Sequence, residues 1–233
     1  MVAPLVNRKW KVLKSEQILK LGVWLSVRQE EVQLPSGAVI PTWFILEFPN
    51  WINVIAITKD GDMVMEDQYR HALGETHYEL VAGVIDAGET PLEAAKRELS
   101  EETGYEGGEW ELFMTLSPNP TNHNNLSFTF LARGVEKVRE QHQEPTEDIH
   151  VHVMKPQEVR ELLEQGEIIQ ALHAAPLWKY FAIHRTPSNS HRTHPSPPYK
   201  GGEYEKYVLE IEAYYILFCI IKPEKLETCL LCS

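Results

Sequence analysis

Residues 83–105 read Gly-Val-Ile-Asp-Ala-Gly-Glu-Thr-Pro-Leu-Glu-Ala-Ala-Lys-Arg-Glu-Leu-Ser-Glu-Glu-Thr-Gly-Tyr, and no other stretch constrains the chain as strongly. The segment is written as loop, helix, stop. Thr90 is placed to cap a helix, Pro91 takes the tolerated first helical position, and Glu93 can reach back to the Thr90 amide in a capping box. Gly104 supplies the left-handed residue that ends the helix. Leu92, Ala95 and Leu99 share a side that packs on a core. Glu98, Glu101 and Glu102 share the adjacent side, flanked by Arg97. Carboxylates at i, i+3 and i+4 repel one another, so a helix that keeps them points to a cation that relieves the repulsion. Hard divalent cations such as Mg²⁺ prefer carboxylate oxygens and bridge to substrate phosphates. Gly83 and Gly88 let the preceding loop bend back over the helix. A carbonyl from Ala82 or Gly83 can then join Glu98 and Glu102, one turn apart, as a metal ligand. Glu101 is expected to share a second ion or hold its water, and Arg97 to orient the carboxylates through a bidentate pair.

Taken alone, Glu-x-x-Glu-Glu is the pattern of a solvated acidic helix face. The spacing of the whole segment decides otherwise. It fits Gly-x5-Glu-x7-Arg-Glu-U-x-Glu-Glu-x-Gly-U, with U apolar or aromatic, at Gly83, Glu89, Arg97, Glu98, Leu99, Glu101, Glu102, Gly104 and Tyr105. At ordinary residue frequencies its fixed identities match by chance on the order of 10⁻⁹ per start position. The segment resembles the Nudix box, and the chain resembles the Nudix hydrolases. That resemblance implies divalent-metal cleavage of a nucleoside diphosphate linked to another moiety, with Mg²⁺ as the expected cofactor and Mn²⁺ as the alternative.

The chain has 233 residues, with a net charge of −12. The acidic balance disfavours a nucleic-acid polymer as partner but not a single nucleotide, whose phosphates bound metal can offset. The first ten residues lack the apolar core of a signal peptide, and no apolar run is long enough to span a bilayer; a cytoplasmic location without membrane attachment is the default expectation. All three cysteines, Cys219, Cys229 and Cys232, fall near the end, which leaves the body without a disulfide framework.

Alternation and turn signals predict strands over 24–32, 43–48, 51–58, 63–66, 78–84, 110–116, 126–132 and 149–154, and helices over 156–165 and 168–183. The expected fold class is α/β (α+β), a mixed sheet sandwiched between helices, and the resemblance implies the same: an α/β/α sandwich preceded by an N-terminal β-strand region that helps form a homodimer. The divisions are 1–50 for that region, 51–185 for the hydrolase domain, and 186–233 for a tail. The tail opens on a linker-like run from Thr186 to Gly202, continues into the uncharged run Tyr214–Ile221, and is expected to be poorly ordered.

The likeness is greatest to the ADP-ribose and nucleoside-diphosphate-sugar pyrophosphatases. Gln68-Tyr69-Arg70, Glu79-Leu80-Val81-Ala82-Gly83 and Pro120, sixteen positions after Gly104, resemble features of that group. The resemblance implies that Arg70 contacts the diphosphate, that Glu79 sits near the sugar or base, and that Pro120 lines the substrate side. It places the general base on the late loop 141–148, where Glu144 and Glu147 both qualify. Two departures bear on the substrate: Val81 stands where the group has proline, and Asn122-His123-Asn124-Asn125 replaces an acidic, glycine-containing loop. The expected activity is hydrolysis of ADP-ribose or a related nucleoside diphosphate sugar to a nucleoside monophosphate and a sugar phosphate. The alternatives are another nucleoside diphosphate derivative, such as a dinucleotide or coenzyme, and a non-catalytic nucleotide sensor.

Overall fold

A computed structural model describes residues 5–22, 24–143 and 147–184. The expectations for the tail 186–233, for the three cysteines and for Glu144 lie outside the described residues.

Three strands come first: β1 (Lys11–Leu21), β2 (Leu25–Gln33) and β3 (Val39–Glu47), paired antiparallel in that order. β1 is absent from the sequence reading. Its pattern Lys-Val-Leu-Lys-Ser-Glu-Gln-Ile-Leu-Lys-Leu lacks strict alternation, and every residue in it is exposed. It is an edge strand carrying lysines, the composition that keeps an open edge from pairing indiscriminately.

The main sheet contains β4 (Trp51–Thr58), β5 (Met63–Arg70), β6 (Glu75–Glu79), β7 (Val81–Val84), β8 (Tyr105–Leu116), β9 (Ser127–Lys137) and β10 (Ile149–Met154). Its order is β10-β5-β4-β9-β8, with β4 and β9 parallel and the other neighbours antiparallel. Alternate side chains serve two cores, as the two-residue period of a strand requires. On one face Ile52, Val54, Ala56 and Val64 pack with Ala94, Ala95 and Leu99 of the box helix. On the other, Ile55, Met63, Met65 and Leu131 pack with Val159, Leu163 and Leu177 of helices α2 (Pro156–Gln165) and α3 (Ala171–Ile183). The result is the expected α/β/α arrangement around a mixed sheet.

The centre of the sheet is split. β4 and β5 pair only at Ala56–Val64 and Ile57–Met63. Beyond that point β5 takes β6 as its partner and β4 takes β7. Leu80, fully buried, is the corner between β6 and β7. One expected strand over 78–84 is thus two, and the carboxylate helix lies against the second of them.

That helix also differs from the expected single α-helix. α1 runs Pro91–Glu98 with the anticipated capping box: Thr90 Oγ1 accepts from the Glu93 amide, and Glu93 accepts from the Thr90 amide at 2.8 Å. Leu99–Thr103 then forms a wider π-helical turn, closed by Gly104 at φ 75°. The Thr103 hydroxyl donates to the Leu99 carbonyl, the acceptor that an α-helix reserves for the Thr103 amide; such back-bonding loosens the regular ladder.

Candidate active site

Four elements converge on one polar region. β5 contributes Glu66, which follows Val64 on the face that α1 covers; β6 contributes Glu79, directly opposite Glu66 in the ladder. β7 contributes Ala82 and Gly83, and α1 with its π-turn contributes Glu98, Glu101 and Glu102. Glu66, Glu79, Glu98 and Glu102 are all buried. Burial first, and the charges of Glu79 and Glu98 next, push the Glu66 carboxyl up to about 8. Burial raises Glu98 to about 7 even though Arg97 opposes it. Glu102 is raised too, by burial and by Glu66 and Glu98, against a backbone hydrogen bond from Ala82. These carboxyls are held where their charge is disfavoured.

Gly83 is needed for the close approach. A Cβ on it would lie 2.0 Å from Glu98 Oε1, so only glycine lets β7 pass beside that carboxylate. Arg97 fixes the other side. Its guanidinium donates twice to Glu89, at 3.0 and 3.1 Å, once to Glu101 at 3.1 Å and once to the Val84 carbonyl at 3.0 Å. It also stands 2.9 Å from Glu98 Oε1. The bidentate pair is therefore with Glu89. Arg97 joins the loop before the helix to the carboxylates within it, and these partners, Glu89 foremost, hold it firmly charged.

Arg70 pairs side-on with Glu79 through Nε, at 2.7 Å, and Nη2. Arg70 keeps 40% of its side chain in solvent while Glu79 keeps 4%, so the pair presents a cation to the outside over a buried anion. Behind it His173 of α3 is buried. Its Nδ1 accepts from the Leu80 amide at 2.8 Å, which directs Nε2 toward Glu79, 3.8 Å away. Burial drives the His173 imidazole down to about 4, so it is neutral.

Glu147 lies near the cluster: its charge contributes to raising Glu66, Glu98 and Glu102. Pro120 lies in the connection between β8 and β9. The asparagines of that connection are occupied with the end of the N-terminal sheet. The Asn122 carbonyl accepts from the Leu46 amide at 2.7 Å, Asn124 Oδ1 accepts from the Phe48 amide at 3.3 Å, and Asn125 Nδ2 donates to the Pro49 carbonyl at 3.0 Å.

Sequence reasoning missed Glu66 and His173. A charged residue ending the apolar run Met63-Val64-Met65 was the available signal for Glu66. For His173 there was none, because its role depends on α3 crossing behind the β6–β7 corner. A cavity of about 370 Å³ opens instead beside Lys96, Ser100, Glu106 and Trp110. It does not include the buried carboxylates.

The cluster fits a hard cation by its donors. Glu66 Oε1 and Glu102 Oε2 are buried without a hydrogen-bond partner, and orphaned buried carboxylate oxygens are expensive unless something charged meets them. Among the described residues no three His, Cys, Asp or Glu side chains are placed together so as to hold a metal ion.

A split mixed sheet, a glycine-gated carboxylate helix and an arginine tying it to its own leading loop define a Nudix domain, and the NUDIX domain family matches residues 49–173. The chain belongs to the Nudix family of hydrolases. The nucleoside diphosphate sugar hydrolase N-terminal domain matches residues 10–46, the three-stranded sheet. Over 172 residues the chain is 29% identical to an ADP-ribose pyrophosphatase of Mycobacterium tuberculosis, covering 72% of this chain and 82% of that one. It is 32% identical over 163 residues to an ADP-ribose pyrophosphatase of Bacillus subtilis, covering 69% and 86%. A solved ADP compounds hydrolase shares the fold, with a TM-score of 0.66 at 19% identity, over 77% of this chain and 98% of the other. No helix among the described residues is long and apolar enough to cross a membrane.

Proposed function

We propose that the protein hydrolyses the pyrophosphate bond of ADP-ribose or a related nucleoside diphosphate sugar, releasing a nucleoside monophosphate and a sugar phosphate. The observation that carries this reading is the pair of orphaned oxygens, Glu66 Oε1 and Glu102 Oε2, buried in a carboxylate cluster next to the half-exposed Arg70. Donors so arranged suit a cation, and they face a guanidinium that can donate to a phosphate.

Glu98, Glu101 and Glu102 would hold Mg²⁺ or Mn²⁺, with Glu66 and a carbonyl of Ala82 or Gly83 completing the donors. When bound, the cation neutralises phosphate charge and acidifies water. The protein's own residues do the rest. Arg70, held by Glu79, offers its outer N–H groups to the diphosphate. Arg97 keeps Glu101 and Glu98 in place. Glu147, or Glu144 on the same loop, takes the proton of the attacking water as its oxygen bonds to phosphorus. The anhydride P–O bond breaks, and the leaving phosphate departs with the electron pair. Pro120 and the loop around it stand toward the sugar.

The test is product analysis with ADP-ribose, nucleoside diphosphate sugars, dinucleotides and coenzymes in the presence of Mg²⁺ or Mn²⁺. The reading expects AMP and ribose 5-phosphate from ADP-ribose, and their near-complete loss in Glu102→Gln. No turnover of any nucleoside diphosphate sugar would defeat it. A dinucleotide or coenzyme as the best substrate would favour the second reading, which rests on the asparagine loop being tied to β3 rather than carrying acids.

The protein is also proposed to act as a homodimer through residues 1–50. Ile18, Leu21, Trp24 and Phe44 of that region are exposed, more apolar surface than a three-stranded sheet leaves open without a partner.

A further inference from the structure

Arg70 can turn its outer N–H groups to a phosphate only while its own partner, Glu79, stays in place. Glu79 lies directly opposite Glu66 in the β5–β6 ladder, and like charges facing each other across a ladder repel. Among the described residues the Glu79 side chain takes hydrogen bonds from Arg70 alone, from Nε at 2.7 Å and from Nη2. Arg70 is the half-exposed member of that pair and Glu79 the buried one. A phosphate that draws on the guanidinium competes with Glu79 for it, so the carboxylate needs backing from the protein side.

That backing comes from α3. Two consecutive residues fasten its first turn to β4 and to the corner between β6 and β7. Asn53 Nδ2 of β4 donates to the Leu172 carbonyl at 2.7 Å, and the Leu80 amide at the corner donates to His173 Nδ1 at 2.8 Å. Asn53, Leu80 and His173 are all buried. Burial keeps the imidazole neutral, and a neutral ring whose Nδ1 is an acceptor carries its proton on Nε2. That nitrogen stands 3.8 Å from Glu79 Oε2, the oxygen that Arg70 Nη2 also meets. The spacing is longer than a hydrogen bond, yet away from water a polar N–H still attracts a carboxylate at that range. The ring also fills space beside Glu79, so the carboxylate has less room to recede when Arg70 is drawn outward.

We propose that His173 is a positioning residue for substrate binding: its Nε2–H backs the Glu79 carboxylate, which in turn aims the Arg70 guanidinium at the diphosphate. This rests on the reading of Arg70 as the group that meets the diphosphate.

The experiment uses the full chain with ADP-ribose and Mg²⁺, measuring kcat, KM and melting temperature for His173→Asn, His173→Gln, Arg70→Ala and the His173→Asn/Arg70→Ala pair. Asparagine can still accept from the Leu80 amide but is too short to reach Glu79, whereas glutamine carries an amide N–H to the Nε2 position. His173→Asn is expected to raise KM by about tenfold with kcat within about twofold, and His173→Gln to recover most of that loss. In the Arg70→Ala background His173→Asn should raise KM no further, since the group it aims is gone. An undiminished rise in that background, or a lowered melting temperature at wild-type KM, overturns the proposal. ¹⁵N NMR of the wild-type imidazole, which needs no variant to fold and no turnover, should find the proton on Nε2. A proton on Nδ1 overturns the proposal equally, because the Nε2 lone pair would then repel the carboxylate. Wild-type KM in Arg70→Ala overturns the reading of Arg70 itself and the proposal with it, and is distinguished by appearing in that single variant.

Discussion

Gly83→Ala isolates one contact. The backbone at Gly83 is not in the left-handed region, so alanine carries no conformational penalty there. What it adds is a methyl group 2.0 Å from Glu98 Oε1, 2.1 Å from Cδ and 2.6 Å from Cγ. Ordinary contact begins near 3.4 Å, so the Glu98 carboxylate must retreat by about 1.4 Å. A displacement of that size in a group that holds the reaction centre lowers the rate on the order of 10²-fold. The stability loss is the smaller effect: pressing a methyl against the buried Glu98 side chain costs about 1–3 kcal/mol of overpacking. Steady-state kcat for ADP-ribose with Mg²⁺, read beside a melting curve, separates the two effects. Shortening the displaced side chain should relieve the clash, so Gly83→Ala/Glu98→Asp should lose less than the product of the single losses. A kcat for Gly83→Ala within about threefold of wild type would refute the reasoning, because so close an approach could not then be needed for the rate.

Without metal, stability should fall as pH rises from about 4.5 toward 8: Glu66, raised to about 8, and Glu98, raised to about 7, keep protons in the folded state that the unfolded chain has already released. Mg²⁺ should raise the melting temperature more at pH 8 than at pH 5, and a scan of melting against pH with and without the ion checks this. His173 works in the opposite direction: its depression from 6.5 to about 4 contributes stability above pH 6.5 that is lost as pH falls through 4, about 3 kcal/mol in all. Denaturant titrations of His173→Gln should show that acid limb flattened. Replacing Ile18 and Trp24 with lysine and glutamate should convert a dimer to monomer in light scattering on a sizing column, with the hydrolase fold intact by circular dichroism.

Much of the site was legible because its signals are local. The capping box at Thr90 and Glu93 and the stop at Gly104 are contained in one helix and its flanks, and both are found as expected. What depends on distant segments was not legible. Glu66 meets Glu98 only because β5 and β4 part company, and no feature of 63–70 announces the split. That Arg97 takes Glu89 as its bidentate partner, besides its helical neighbours Glu98 and Glu101, depends on how the loop folds back. β1 escaped notice because an exposed edge strand needs no apolar alternation. The π-turn was hidden for another reason: Thr103 reads as an ordinary helix residue until its hydroxyl is seen at the Leu99 carbonyl.

That π-turn bears on how the chain can change. Such a turn is an α-helix holding one residue more than its ladder can use. Deleting one residue between Leu99 and Thr103 would let the helix close regularly. It would also swing every later side chain by about 100° around the axis, carrying one of the acids away from Glu66. A more regular helix would therefore come at the expense of the carboxylate arrangement that the turn now presents.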